Sequence, residues 1–360
     1  MQVAILGAGG IGLGYAALLC AQGHAVTLWS PSGATAVALQ SGAVLEATGA
    51  VAGHFRPAAR SRCAEAIEGA AVVIIAVPGY GHRRVIDEAA PHLRAGQTVV
   101  ISAHLSLSAL YLAKRLAERG IELPIATWAT TVTTGRRAGP VGVNVSGVRS
   151  RLDIACVPAA AIDAAEAACR ELFGDRFERR ADILAIALSN LNPPAHMANS
   201  LLNFTRIERG EHWENYGCIT EGVGRLIEAL DRERLAVAAA FGLAVRTVVE
   251  HYVLSFGVPS GSVHEMAQAV NRMRGGNPPG PRSADTRYVL EDVPFGLVPM
   301  VAFARIAGVR VPLHESGVEL FSAIYGRDFR DDNDLLPALE LDGMSSAELH
   351  RVARDGFLHR

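Results

Sequence analysis

The chain has 360 residues; half are apolar, 19% are charged, and the formal net charge is −2. That length suits two domains or one large one, and the composition allows a sizeable core and excludes a largely disordered chain. The near-neutral balance also argues against a broad nucleic-acid-binding surface, which needs many excess cations.

The first elements alternate. "QVAIL" (2–6), "AVTLW" (25–29), "AVVIIAV" (71–77) and "QTVVIS" (97–102) are short runs rich in valine and isoleucine, with helical patterns at 10–22, 82–93 and 106–119. Continuously apolar strands alternating with helices are the pattern of a buried parallel sheet built from βαβ units. "LPIATW" (123–128), "VGVNVS" (141–146) and "RLDIACV" (151–157) add strand candidates, and a helix follows at about 161–173. The expected fold class is therefore α/β at the N-terminus, a doubly wound parallel sheet of the Rossmann type over residues 1–182.

The apolar start, Val3–Cys20, has no positive residues before it, and five glycines interrupt residues 7–14. It reads as a strand and a glycine turn, not as a signal or membrane segment. The glycines form Gly7-x-Gly9-x-x-Gly12 between the first strand and its helix, which is the dinucleotide-binding context. Gly7 allows the tight turn, Gly9 the approach of a pyrophosphate and Gly12 close packing of the helix on the strand. Gly10 and, after the "AVVIIAV" strand, Pro78 join them as cofactor-side candidates. The second strand ends in "WSPSGAT", with Ser30 and Ser32 where an NAD site usually carries a carboxylate for the ribose. That tips the expected cofactor from NAD to NADP, although no arginine is near in sequence. Arg83 and Arg84 can supply the charge or simply form a solvated helix face. "TWATTVTTGRRAGP" (127–140) reads as a polar loop, with Thr130, Thr131 and Arg136 as candidates for substrate contacts.

After residue 180 convincing strands stop, and helical patterns at 194–209, 219–240, 243–256 and 312–325 imply an all-α domain over 183–360. "GGNPPGPRS" (275–283) reads as a loop, and "SSAE" (345–348) as the capping box of a short terminal helix. In "NLNPPAHMANSLLNF" (190–204), Pro194 suits the first helical position because it lacks an N–H. His196 then falls in the first turn, where the positive end of the helix dipole disfavours a cationic ring. Taken alone, the stretch favours a packing histidine over a proton-transfer group. In "DTRYVLEDVPFGLVP" (285–299), Arg287 has the planar fork that suits a carboxylate. Asp292 is a candidate to orient a histidine. Capping and a surface ion pair explain both residues equally well.

The five cysteines, Cys20, Cys63, Cys156, Cys169 and Cys218, are odd in number and form no CxxC pair. Reduced thiols of a cytoplasmic protein are expected, with no metal site.

Taken together, the glycine motif, "NPPAHMANSLLN", "RYVLEDVPFGLVP" and the closing "GRDF…LELDGMSSAEL" resemble the octopine/nopaline (opine) dehydrogenase family over nearly the whole chain. The resemblance implies a Rossmann domain followed by an α-helical domain. It implies NADH- or NADPH-dependent reductive condensation of an amino acid, or another amine, with an α-keto acid through an imine. Carried over by motif, His196 is the general acid/base, Asp292 its orienting partner and Arg287 the carboxylate clamp, with Asn199 as a further substrate-side candidate. No nucleic-acid or membrane partner is expected, and the helical domain allows a homodimer. Two other readings keep the architecture: an NAD(P)-dependent keto/hydroxy acid reductase of the ketopantoate-reductase or hydroxyacid-dehydrogenase type, and a non-catalytic dinucleotide-binding protein.

Overall fold

The computed structural model describes residues 1–273 and 279–358; residues 275–278 of the expected glycine/proline loop lie outside them. Two compact units are present. The first holds Met1–Ala187, Ala338–Glu340 and the residues from Glu348 on; the second holds Leu188–Pro337 and Leu341–Ala347. The expected second domain ran to residue 360, whereas the C-terminal helix from Glu348 groups with the first unit. The cause is burial: Leu349, Val352 and Ala353 are almost wholly covered. His350 Nε2 also donates to the buried Asp182 at 2.7 Å.

The first unit contains β1 (Gln2–Leu6), β2 (Ala25–Trp29), β3 (Leu45–Gly49), β4 (Gly53–Phe55), β5 (Ala58–Ala59), β6 (Val72–Ile75), β7 (Thr98–Ile101), β8 (Ile125–Trp128), β9 (Thr133–Arg137), β10 (Gly142–Val148), β11 (Leu152–Val157) and β12 (Phe177–Arg179). Eight of these form one sheet in the order β12-β11-β8-β7-β6-β1-β2-β5. All neighbours are parallel except β8 and β11. The seven strand runs read from the sequence are all present. In the middle of the large sheet the side chains are fully buried, as from Val72 to Ile75 in β6 and from Val99 to Ile101 in β7, because helices cover both faces of a parallel sheet.

The chain leaves β1 for β2 on one side and returns to β6 on the other. The carboxyl ends of β1 and β6 are therefore the topological switch point, where open α/β sheets bind ligands. A second sheet, β4-β3-β10-β9, lies in the same unit. Its β9 strand, "TTGRR", crosses the polar segment expected to be a loop. Few of its side chains are apolar, so period-two alternation could not mark it; pairing with Val143 to Val148 of β10 makes the strand.

The second unit is helical, with helices Asn192–Leu202, Phe204–Glu208, Glu221–Ala240, Val248–Phe256, Val263–Met273, Val298–Ala307 and Pro312–Tyr325 among its described residues. Its core gathers Met197, Ile227, Leu230 and Phe321 from three of those helices, with Val293 and Leu297 from the turn that precedes Val298–Ala307.

Candidate active site

The glycine loop sits at the carboxyl end of β1. Gly7 has φ +128°, and an added Cβ would lie 2.3 Å from the Ala76 carbonyl oxygen beyond β6. Only glycine permits both the conformation and the approach. A Cβ on Gly12 would lie 1.9 Å from the Gly7 carbonyl, so the helix Gly10–Ala21 packs directly on the turn. Gly9, by contrast, faces open space, with nothing within 4 Å of an added Cβ. The first helical bond runs from the Leu13 amide to Gly9 at 2.9 Å, so the amides of Gly10 to Gly12 precede the helical ladder. A helix start of this kind, behind a turn that leaves room for a pyrophosphate, fits a dinucleotide. Gly10 has a different task. Its added Cβ would lie 2.5 Å from the Gly135 carbonyl, so it lets β9 lie across the helix start. Pro78 stands in extended conformation just before the helix Gly79–Ala89, beyond β6.

Past β2, Ser30 is buried and Ser32 exposed, with their hydroxyls 3.4 Å apart. The cation that reaches this segment, at Thr35, is one that sequence spacing could not reveal. Arg137, from β9, donates to the Ala8 carbonyl at 3.2 Å and to the Thr35 hydroxyl at 3.1 Å. The alternatives considered from sequence are engaged on their own helix: Arg83 with Asp87 and Arg84 with Glu88.

Beneath the carboxyl ends of β6 and β7 lie two fully buried histidines. Burial pushes the His82 ring down to about 4, against an opposing hydrogen bond to the Val77 carbonyl. Burial, reinforced by His82, pushes His104 down to about 3. Neither ring nitrogen of His104 has a hydrogen-bond partner among the described residues. The backbone around it is strained, with Ala103, Ser106 and Leu107 at φ of 58°, 49° and 52°.

In the helical unit, the His196 helix starts at Asn192, two residues before Pro194. The Asn190 side chain accepts from the Asn192 amide at 3.0 Å, an Asx turn that begins it early. Pro193 and Pro194 both fit because the first turn needs no donors. His196 is therefore the fifth helical residue, beyond the first turn where the sequence placed it, and the positive end of the helix dipole acts on it only weakly. What faces the ring instead is Asp292. Nδ1 of His196 donates to Oδ2 of Asp292 at 2.6 Å, with the histidine side chain 18% exposed and the carboxylate 3%. Tyr288 stacks flat on the imidazole, with centroids 3.6 Å apart and planes 6° from parallel.

Two features bring residues 96 positions apart into this pair. Val293–Leu297 forms a π-helical turn immediately after Asp292, a distortion that often marks functional sites. Within it, a Cβ on Gly296 would lie 2.3 Å from the Pro193 ring, so the absence of a side chain seats this turn against the start of the His196 helix. Asn333 pins the same turn by donating to the Pro294 carbonyl at 2.7 Å.

Arg287 is largely exposed and its Nε pairs with the buried Glu291 at 3.2 Å. Asn199 is buried, and its amide is committed to a structural ladder, donating to Asn215 at 2.9 Å and accepting from Asn203 at 3.1 Å. Thr131 donates to the Thr133 carbonyl. Thr130 is half-buried beside it, and Arg136 is exposed opposite Asn144 of β10. Thr130, Thr131 and Arg136 belong to the first unit, His196, Asp292 and Arg287 to the second. Tyr288 and Gly296 lie inside the quoted motif, but nothing in their spacing announces a stack or a close approach. No helix among the described residues is long and apolar enough to cross a membrane.

Two family models match. Residues 179–325 match the NAD/NADP octopine/nopaline dehydrogenase α-helical domain, and residues 3–155 match ketopantoate reductase PanE/ApbA. An opine dehydrogenase from Arthrobacter sp. (strain 1C) is 32% identical over 351 residues, covering 96% of each chain. Among solved structures, octopine dehydrogenase in complex with NADH and agmatine superposes with a TM-score of 0.80 at 17% identity, covering 100% of this chain and 99% of that one. Octopine dehydrogenase with NADH and pyruvate gives a TM-score of 0.70 at 17% identity, covering 93% and 89%. At those identities the structural likeness is one of fold.

Proposed function

The chain belongs to the opine dehydrogenase family and is an NAD(P)-dependent oxidoreductase, and on that premise we propose that it condenses an amine, such as that of an amino acid, with an α-keto acid and reduces the resulting imine. The amine and keto-acid sides are supported by the structural neighbours, which were solved with agmatine and with pyruvate. The observation that carries the reading is the buried bond between His196 and Asp292.

Condensation requires a group that gives and takes protons as the carbinolamine forms and loses water. His196 fills that role through Nε2. Asp292 holds the Nδ1–H, which fixes the tautomer and the ring orientation, as carboxylates do for other catalytic histidines. Tyr288 restrains the ring plane by stacking. Arg287 presents its guanidinium to a substrate carboxylate, while Glu291 anchors it at Nε. A bound nicotinamide would supply the hydride, and we assign NADP(H) as the carrier because Ser30 and Ser32 stand where a ribose-binding carboxylate would favour NAD. Gly7, Gly9, Gly10 and Gly12, with Pro78, shape the nucleotide side.

A matrix of amines and α-keto acids, followed by NADPH and NADH oxidation, tests the reaction. Oxidation should need both substrates, and His196→Ala should remove most turnover while cofactor affinity stays intact. Near-normal turnover in that variant would overturn the role of His196. The match of residues 3–155 to ketopantoate reductase favours a second reading, direct reduction of a keto acid. Oxidation with keto acid alone, at a rate that amines do not raise, selects it.

A further inference from the structure

We propose that Arg137 is the residue that selects a 2′-phosphorylated nucleotide, binding the phosphate of NADP(H) together with the hydroxyls of Ser30 and Ser32. The inference rests on the NADP(H) assignment above and names the group responsible for it.

The position comes from the second sheet. β9 crosses the start of the glycine-loop helix because Gly10 and Gly135 let the two backbones touch: a Cβ on either would lie within about 2.5 Å of the other's carbonyl oxygen. That crossing carries Arg137 to the gap between the glycine loop and the segment after β2. Its guanidinium bridges the two, donating from Nη1 to the Ala8 carbonyl and from Nη2 to the Thr35 hydroxyl. Nε donates to the Gly139 carbonyl at 3.0 Å, and Nη2 also donates to the Pro140 carbonyl. A dinucleotide on a Gly-x-Gly-x-x-Gly loop places its adenosine ribose at the end of the second strand. Ser30 and Ser32 lie there, and Thr35 follows.

Charge separates this arginine from its neighbours. All four acceptors around Arg137 are neutral oxygens, whereas Arg83 and Arg84 face Asp87 and Glu88. No acidic residue precedes Glu46 in the chain, so the β2 end offers no carboxylate to neutralise Arg137 or to hold unphosphorylated ribose. An arginine has five N–H donors in a rigid fork suited to phosphate oxygens. In Arg137 four of them are engaged, one on Nε, one on Nη1 and both on Nη2, so one Nη1–H and the guanidinium charge face a phosphate oxygen, and the Ala8 and Thr35 contacts hold the group in place before any nucleotide arrives. Serine hydroxyls add donors for the remaining phosphate oxygens. The placement explains why no arginine near β2 in sequence was needed: the cation arrives from a strand about a hundred residues later.

The test is calorimetric binding of NADPH, NADH, 2′,5′-ADP and 5′-AMP to the full-length protein, with no amine or keto acid present. The wild-type protein is expected to hold each 2′-phosphorylated ligand at least about tenfold more tightly than its counterpart. Arg137→Met should abolish that ratio while the affinity for 5′-AMP falls by less than about threefold, and Arg137→Lys, which keeps the charge but not the fork, should reduce it partway. A wild-type protein that binds NADH as tightly as NADPH overturns the cofactor assignment itself. A wild-type preference that survives Arg137→Met, or that is unchanged in Arg137→Lys should the methionine variant not fold, overturns the role of Arg137 alone. Equal losses for all four ligands also overturn it, since Arg137 would then be only a strut between the glycine loop and Thr35.

Discussion

Replacing Asp292 by asparagine removes one charge from the His196 pair at almost constant volume. The two side chains meet at 2.6 Å, and the carboxylate is 3% exposed. With about 4 Å between charge centres and an effective dielectric near 20, the attraction of the carboxylate for a ring that has just accepted a proton is about 4 kcal/mol. The histidine is 18% exposed, so solvent screening reduces this to roughly 2–4 kcal/mol. If that attraction stabilises the transition state, kcat falls by about 30- to 1000-fold. Asparagine can also present its NH2 to Nδ1 and so select the wrong tautomer, which acts in the same direction. The assay is steady-state cofactor oxidation with the best amine and keto-acid pair, on Asp292→Asn, His196→Ala and the double variant, with cofactor affinity measured alongside. Because Asp292 acts only through the histidine, its substitution should cost almost nothing further in the His196→Ala background. A single variant that keeps more than a third of wild-type kcat, or an additive double variant, would refute the dyad.

Three further outcomes follow from the geometry. Tyr288→Leu should lower kcat by about 3- to 10-fold through loss of the ring stack, and Tyr288→Phe should retain clearly more activity; equal losses in both would show that the stack itself does not matter. Gly12→Ala forces a Cβ to within 1.9 Å of the Gly7 carbonyl. It should cost on the order of 3 kcal/mol, lower Tm by roughly 5–10 °C and abolish cofactor binding; a thermal scan showing wild-type Tm contradicts the packing described. His82 and His104 titrate at about 4 and about 3 when folded, against an ordinary 6.5. The unfolded chain therefore binds more protons below pH 6.5, and stability falls as pH drops through 6.5 toward 4. Together the two rings should remove roughly 4 kcal/mol between pH 7 and pH 5. Urea unfolding at the two pH values measures the loss, and His104→Leu should shrink it by about half; an unchanged pH dependence refutes the assignment to these rings.

Much was legible in the sequence because it is encoded locally. Periodicity and turn chemistry depend on neighbours within a few residues, so the seven strand runs, the glycine turn and most of the long helices could be read directly. The motif around His196 and that around Asp292 were each visible, and their shared role came from a resemblance rather than from spacing. What remained hidden depends on segments far apart in the chain. β9 is polar and becomes a strand only by pairing with β10. The C-terminal helix has an ordinary amphipathic pattern that does not say which unit it covers. The early start of the His196 helix depends on the Asn190 turn.

By itself, then, the sequence determined which residues form the glycine turn, which segments are strands or helices and which side chains have the chemistry for proton transfer, since all of these follow from local backbone and side-chain preferences. Only the tertiary structure decided which groups meet. Gly296 lets a turn lie against Pro193 and so sets Asp292 2.6 Å from His196. Gly10 and Gly135 let β9 carry Arg137 to the glycine loop. In both cases the missing Cβ permits a backbone approach between distant segments, and no pattern within a single segment contains that contact.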